Sequence, residues 1–268
     1  MALDTINKVV SGLSSGTILP IYKASIANQG AGYFTSLWRA TGFPAQGAIP
    51  AGAATCDDTF TGTWPLGDSS TLDYYVLKAS FAGNTIATWM LYDRLAHMGG
   101  LSGATTGDQT VNVSLATAAG QSRCAVNGSD VEWFAEMYTD IGTAAQTVTV
   151  TYTNQSDASK TTTISIGGAS PLNRASRCIQ ILPLAGDYIK SVVKINFGTT
   201  TGAAGSWGIT ARKKLFAVGQ LLANIAPPCD FAAIGAPKIA DTSCLEICNL
   251  CSTTSTGILQ GDIKVGIA

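Results

Sequence analysis

The stretch TVTVTYTNQSDASKTTTISIGG, residues 147–168, limits the fold more tightly than any other part of the chain. Val148, Val150 and Tyr152 alternate with threonines, NQSDAS supplies a polar turn, and Lys160–Ile166 returns with Ile164 and Ile166 on one face. Alternation with period two on both sides of a turn is the pattern of a hairpin with one half-buried face.

Similar short runs rich in Thr, Val, Ile, Tyr and Trp recur from Thr59 to Val218. They predict an all-β body, a β-sandwich or jelly roll, rather than alternating βαβ units. VEWFAEMYTDIG, 131–142, fits a strand with Glu132, Phe134, Glu136 and Tyr138 on one face and Val131, Trp133, Ala135 and Met137 on the other. DYIKSVVKINF and SWGITARKKLFAVG predict two more strands around a TTTGAAG loop, with Lys190 and Lys194 outward and Val193, Ile195 and Phe197 opposite. TIATWMLYDRLAHM is the best helix candidate, because Ile86, Trp89 or Met90, Asp93 and His97 fall at near-helical spacing.

Three textures divide the chain. Residues 1–58 read as an extended N-terminal arm: Asp4–Val10 suits a short helix or a strand edge, and Gly and Pro then punctuate every few positions. Residues 59–218 form the β body, and residues 219–268 a cysteine-rich C-terminal tail closed by a short strand in ILQGDIKVGIA. Arm and tail are expected to latch onto neighbouring subunits. Only 12% of residues are charged, against roughly 25% in an ordinary soluble domain, which suggests surface that is covered on assembly. A net charge of −1 provides no field for nucleic acid. No apolar run is long enough to span a bilayer, so no membrane partner is expected, and the first residues read as leaderless.

Material for catalysis is sparse: one histidine, three glutamates and no GxxxxGK[ST] phosphate loop. No catalytic residue, cofactor or metal is expected. His97 reads as a structural histidine beside a local Asp93–Arg94 ion pair, and Arg212-Lys213-Lys214 as a solvated or subunit-facing patch, with an anion site as the alternative. A hydrolase using His97 with Asp57, Asp58 or Asp93 is the competing reading from another class. The seven cysteines Cys56, Cys124, Cys178, Cys229, Cys244, Cys248 and Cys251 are disulfide candidates, within or between subunits. Free thiols remain open, as does a structural zinc on Cys229, Cys244, Cys248 and Cys251, although only Cys248 and Cys251 form a tight C-x2-C knuckle.

LYDRLAHMGGLSGATTGDQTVN (91–112), EWFAEMYTDIGTAAQTVTVTYTNQSD (132–157) and TTGAAGSWGITARKKLFAV (200–218) resemble a family of tailed-bacteriophage virion proteins, the capsid decoration or head-associated structural proteins. The resemblance covers roughly residues 60–220 and carries no catalytic motif. It implies a β-rich, non-enzymatic cement protein on the virion capsid surface, a homotrimer whose partner is the major capsid protein. The cysteine-rich tail, Cys124 and Cys178 depart from that pattern, and their oxidation after lysis would cross-link the shell. A tail, neck or receptor-binding component is the alternative within the virion, with FTGTWPLGD (60–68) as an aromatic loop for reading sugars.

Overall fold

A computed structural model describes residues 5–67, 73–115 and 122–267. Strands occupy 48% of the chain and helix 6%, so the protein is all-β with sandwich-like packing of antiparallel sheets. Helix α1 (Ile6–Ser15) is followed by β1 (Thr17–Lys23), β2 (Phe34–Ser36), β3 (Gly42–Phe43) and β4 (Ala54–Thr55). Next come β5 (Tyr74–Gly83), β6 (Ala87–Leu101), β7 (Gly107–Ser114), β8 (Val131–Met137), β9 (Gln146–Asn154) and β10 (Ser159–Ile166). Then follow β11 (Cys178–Ile181), β12 (Ile189–Phe197), β13 (Trp207–Gln220), β14 (Cys229–Asp230), α2 (Phe231–Ile234), β15 (Lys238–Ile239), β16 (Leu245–Cys251) and β17 (Leu259–Ile267).

The central sheet runs β11-β8-β13-β6-β16-β2, with β4 also on β6. It curls until its edges meet: Thr35 of β2 bridges Arg177 beside β11, and the Ser36 N–H donates to the Ser176 carbonyl at 2.9 Å. The result is a small six-stranded barrel, a size whose interior side chains fill. Its outer surface carries the two hydrophobic cores. Trp133, Ala135, Met137, Ile209 and Ala211 pack against the four-stranded sheet β10-β9-β12-β7 through Val148, Val150, Ile195 and Phe197. Trp89, Leu91, Phe216, Val218 and Ile247 pack against the sheet β14-β5-β17-β1-β3 through Val76, Phe81, Leu19 and Ile263. Each of the larger of these side chains, the alanines apart, contributes about 1.5–3 kcal/mol by leaving water.

The expected hairpin is β9 and β10, paired Ser159↔Thr153 through Ile166↔Gln146, and 131–137 is the expected strand. Thr5 caps α1 by accepting from the Lys8 N–H, while Asp4 lies outside the described residues.

Four expectations change. The segment read as a helix is β6, fifteen residues long and buried almost throughout; a strand covered on both faces loses its period-two signal, and its bulky residues then mimic helical spacing. Val193 points outward, because a register shift between Val192 and Lys194 turns Val192 in and Val193 out. Strands β12 and β13 flank the TTTGAAG loop but belong to different sheets. The ends are woven into the body: β1 pairs with β17, β17 pairs with β5, and β16 of the tail lies between β6 and β2 in the barrel wall. Gly and Pro punctuation marked turns between strands that borrow their partners from distant sequence.

Gly208 stands where β13 crosses the irregularity in β6, and a Cβ there would collide with the Met98 carbonyl. Gly208→Ala is expected to lower stability by about 2–3 kcal/mol. Gly219→Ala, on the same strand with open space around it, is expected to change it by less than about 1 kcal/mol. Urea unfolding of the two variants checks both.

Candidate functional site

The barrel interior holds most of the chain's unusual chemistry. Its side chains come from one face of each strand: Glu132, Phe134, Glu136 and Tyr138 near β8, Thr210, Arg212 and Lys214 of β13, Tyr92 and Arg94 of β6, Glu246 and Cys248 of β16, and Phe34 and Ser36 of β2. A bulge adds one residue to β6, since Ala211 pairs with Ala96 and Arg212 with Arg94, leaving Leu95 over. The inward phase therefore jumps, and both Arg94 and His97 face the interior.

The middle of the barrel is a four-charge cluster. Arg94 donates to Glu246 Oε2 at 3.0 Å and pairs with Glu136 Oε2 at 2.8 Å. Arg212 donates to Glu246 Oε2 at 2.9 Å, to Glu246 Oε1 at 3.0 Å and to Glu136 Oε2 at 2.8 Å. Thr210 and Ser36 add hydroxyl donors, to Glu136 at 2.7 Å and to Glu246 at 2.5 Å. The guanidinium of Arg94 lies over the Trp38 ring at 4.5 Å and that of Arg212 over Phe134 at 5.1 Å. All four charged side chains are 0–1% exposed. Burial opposes ionisation of Glu246, yet Arg212 and Arg94 together bring its carboxyl down to about 2. Glu136 is lowered in the same way, burial being outweighed by Arg94 and Arg212. Two cations and two anions balance, so the cluster is neutral as a unit.

Toward one end the interior is closed by Tyr92, which donates to Glu132 at 2.9 Å, and by Lys214, which pairs with Glu132 at 2.7 Å. Toward the other end stand His97, Trp38, Tyr138 and Phe60 with the thiols of Cys56 and Cys244. The backbone N–H of Cys56 donates to the Leu95 carbonyl at 2.9 Å, and the Cys244 carbonyl accepts from Arg94 N–H at 2.8 Å. The two residues are thus docked against consecutive residues of β6, and their side chains meet in one cluster with Trp38 and Tyr138. Burial pushes the Cys56 thiol up, but Cys244, His97 and Arg94 together bring it well below the ordinary thiol range. Cys244 is held well above that range by burial and by the Cys56 charge. An apolar cleft of about 320 Å³, lined by residues 48–54, Phe60 and His97, opens above this end.

The sequence-predicted residues distribute differently from expectation. Asp93 and Arg94 do not pair: adjacent residues of a strand face opposite ways, and Asp93 instead binds Arg123 at 3.0 Å and accepts from Ser243 and from the Cys244 N–H. Arg212 is no surface patch but half of the buried cluster, while Lys213 and Lys214 reach Asp130 and Glu132. His97 is buried, as a structural histidine should be; its Nδ1 accepts from Arg94 Nε at 3.0 Å, which leaves the ring proton on Nε2. That tautomer is a donor, not a base. Asp57 accepts from Thr59, Asp58 from the Leu66 N–H, and Asp93 from Arg123, so none of the three completes a hydrolytic pair with His97. Trp64 of the expected sugar-reading loop is buried and donates to the Pro20 carbonyl.

No two of the seven cysteines are joined in this structure. Cys248 faces the cluster, its thiol donating to Glu246 Oε1 at 3.7 Å, and Cys251 three positions later meets Thr35 and Asn249. Extended backbone turns those two residues to opposite sides, so the C-x2-C knuckle does not converge. Cys178 lies beside Arg212 and is pushed up to about 12 by burial. Only Cys124 and Cys229 are partly exposed. Arg123 and the two glutamates Glu136 and Glu246 were not singled out from sequence; two of only three glutamates lying inside apolar strands was the available signal. The chain matches no protein-family model, no curated protein and no solved structure.

Glu246→Gln leaves two buried guanidinium groups facing one carboxylate, and a loss of about 3–5 kcal/mol is expected. Because the Glu246 carboxyl binds its proton at lower pH when folded than the ordinary 4.5, at about 2, the unfolded chain takes up protons first as acid is added. Its contribution is present above pH 4.5 and is lost as pH falls toward 2. Denaturation curves across that window are expected to show a flatter acid limb in Glu246→Gln than in the unmutated protein.

Proposed function

We propose that the chain is a structural subunit of a phage virion, a decoration or cement protein that binds across neighbouring subunits of the major capsid protein and associates with itself as a trimer. The observation that carries this reading is the set of large apolar side chains that the fold leaves exposed. Leu221 and Leu222 are 82% and 61% exposed, and Ile225 follows them in the same loop. Ile18 and Tyr22 project from the outer face of β1, with Tyr22 opposite Phe43. Apolar surface on a chain so poor in charge favours burial against partners over life as a free monomer.

Covalent reinforcement between subunits, if the shell uses it, falls to Cys124 and Cys229, because the other five thiols lie inside the fold. Quantifying the protein in purified particles tests the proposal. A copy number on the order of hundreds, comparable with the major capsid protein, is expected. About six to twelve copies would move it to the neck or tail, and absence from particles would sink a virion role altogether. On non-reducing gels, any ladder of linked subunits is expected to vanish in Cys124→Ser/Cys229→Ser.

A further inference from the structure

We propose that Cys56 and Cys244 are a peroxide-sensitive dithiol, joined on oxidation into an intrachain disulfide that ties the N-terminal segment to the C-terminal one along the edge of β6 that β4 and β16 share. Both cysteines are docked by backbone hydrogen bonds to Arg94 and Leu95 and packed in one cluster with Trp38 and Tyr138. Docking beside consecutive residues of one strand edge brings the two cysteines together, and a disulfide needs about 4.4–6.8 Å between Cα atoms. Arg123 holds this arrangement from the far side, donating to the carbonyls of Cys56 and Leu95 and to Thr242.

Three further observations single out this pair. His97, which neighbours the buried Cys56 thiol, also lines the cleft formed with residues 48–54 and Phe60, whose size admits a small peroxide. His97 carries its proton on Nε2, so it offers a donor to a thiolate neighbour, and Arg94 adds positive charge. Every other cysteine is driven the opposite way, chiefly by burial, with Cys124 raised to about 11 and Cys178 to about 12. A thiolate is the nucleophilic form, so selectivity follows.

The oxidant is hydrogen peroxide. Cys56 gives its proton to water, and its thiolate attacks one peroxide oxygen. The O–O bond breaks, a sulfenic acid forms, and the leaving hydroxide takes up a proton to become water. Cys244 then attacks the sulfenic sulfur; the S–O bond breaks, and the hydroxyl leaves with the Cys244 proton as a second water. Two thiols lose two electrons in total, and one peroxide accepts them.

The test treats the full-length protein with hydrogen peroxide, quenches, denatures, alkylates the remaining thiols and maps the peptides by mass spectrometry. The expected result is a loss of 2 Da, five alkylated cysteines instead of seven, and one linked pair, Cys56 with Cys244, reversed by reductant. His97→Phe is expected to slow the reaction by roughly tenfold or more, and His97→Gln, which keeps an N–H donor, to retain most of the rate. Seven alkylated thiols after treatment, or a linked pair that maps to Cys178 and Cys248, would overturn the proposal. Cys56→Ser and Cys244→Ser should each abolish the 2 Da loss; should either variant fail to fold, the map of the unmutated protein decides alone.

Discussion

Two arginines and two glutamates occupy the middle of a barrel barely wide enough for side chains, and every strand of that barrel is held in register by what they require. Removing four charges from water is expensive, and only near-complete pairing offsets it. Arg94 on β6, Arg212 on β13, Glu136 on β8 and Glu246 on β16 must therefore arrive at the same height. A slip of one residue between any two of these strands would send a charge outward into an apolar core and leave its partners unpaired. An apolar filling of equal volume would hold the strands together as well, but it would tolerate alternative registers. The cluster thus supplies uniqueness more than net stability.

That constraint explains why the two longest strands are irregular. β6 and β13 face the cluster on one side and two separate hydrophobic cores on the other, one core at each end. A regular strand cannot satisfy all three environments over fourteen or fifteen residues. The extra residue at Leu95, and a second at Leu215 where Lys214 pairs with Tyr92 and Phe216 with Leu91, reset the alternation where one environment gives way to the next.

The β9–β10 hairpin was legible in the residues because its outer side is wet enough to preserve alternation, and β8 because its glutamates alternate with apolar residues although both of its faces are buried. β6 was not legible, since Trp89, Leu91 and Leu95 bury on one face while Met90, Tyr92 and Arg94 bury on the other. The candidate site was hidden for a related reason. Arg212 and Lys213-Lys214 look alike in a row of letters, and only the direction of each side chain separates a buried ion from solvated ones. His97 is buried, but its link to Cys56 and Cys244 depends on contacts between residues far apart in the chain, which local spacing cannot encode.

The pairing of β1 with β17 has a mechanical side. Thr17 lies opposite Val265 and Lys23 opposite Leu259, so the outer ends of both strands emerge at the same corner of one sheet. Tension applied through the two ends of the chain would load this ladder as a zipper, one hydrogen-bonded pair at a time, rather than in parallel shear. The load would fall first on the β1–β17 and β17–β5 ladders, which lie in a different sheet from the barrel and its charges.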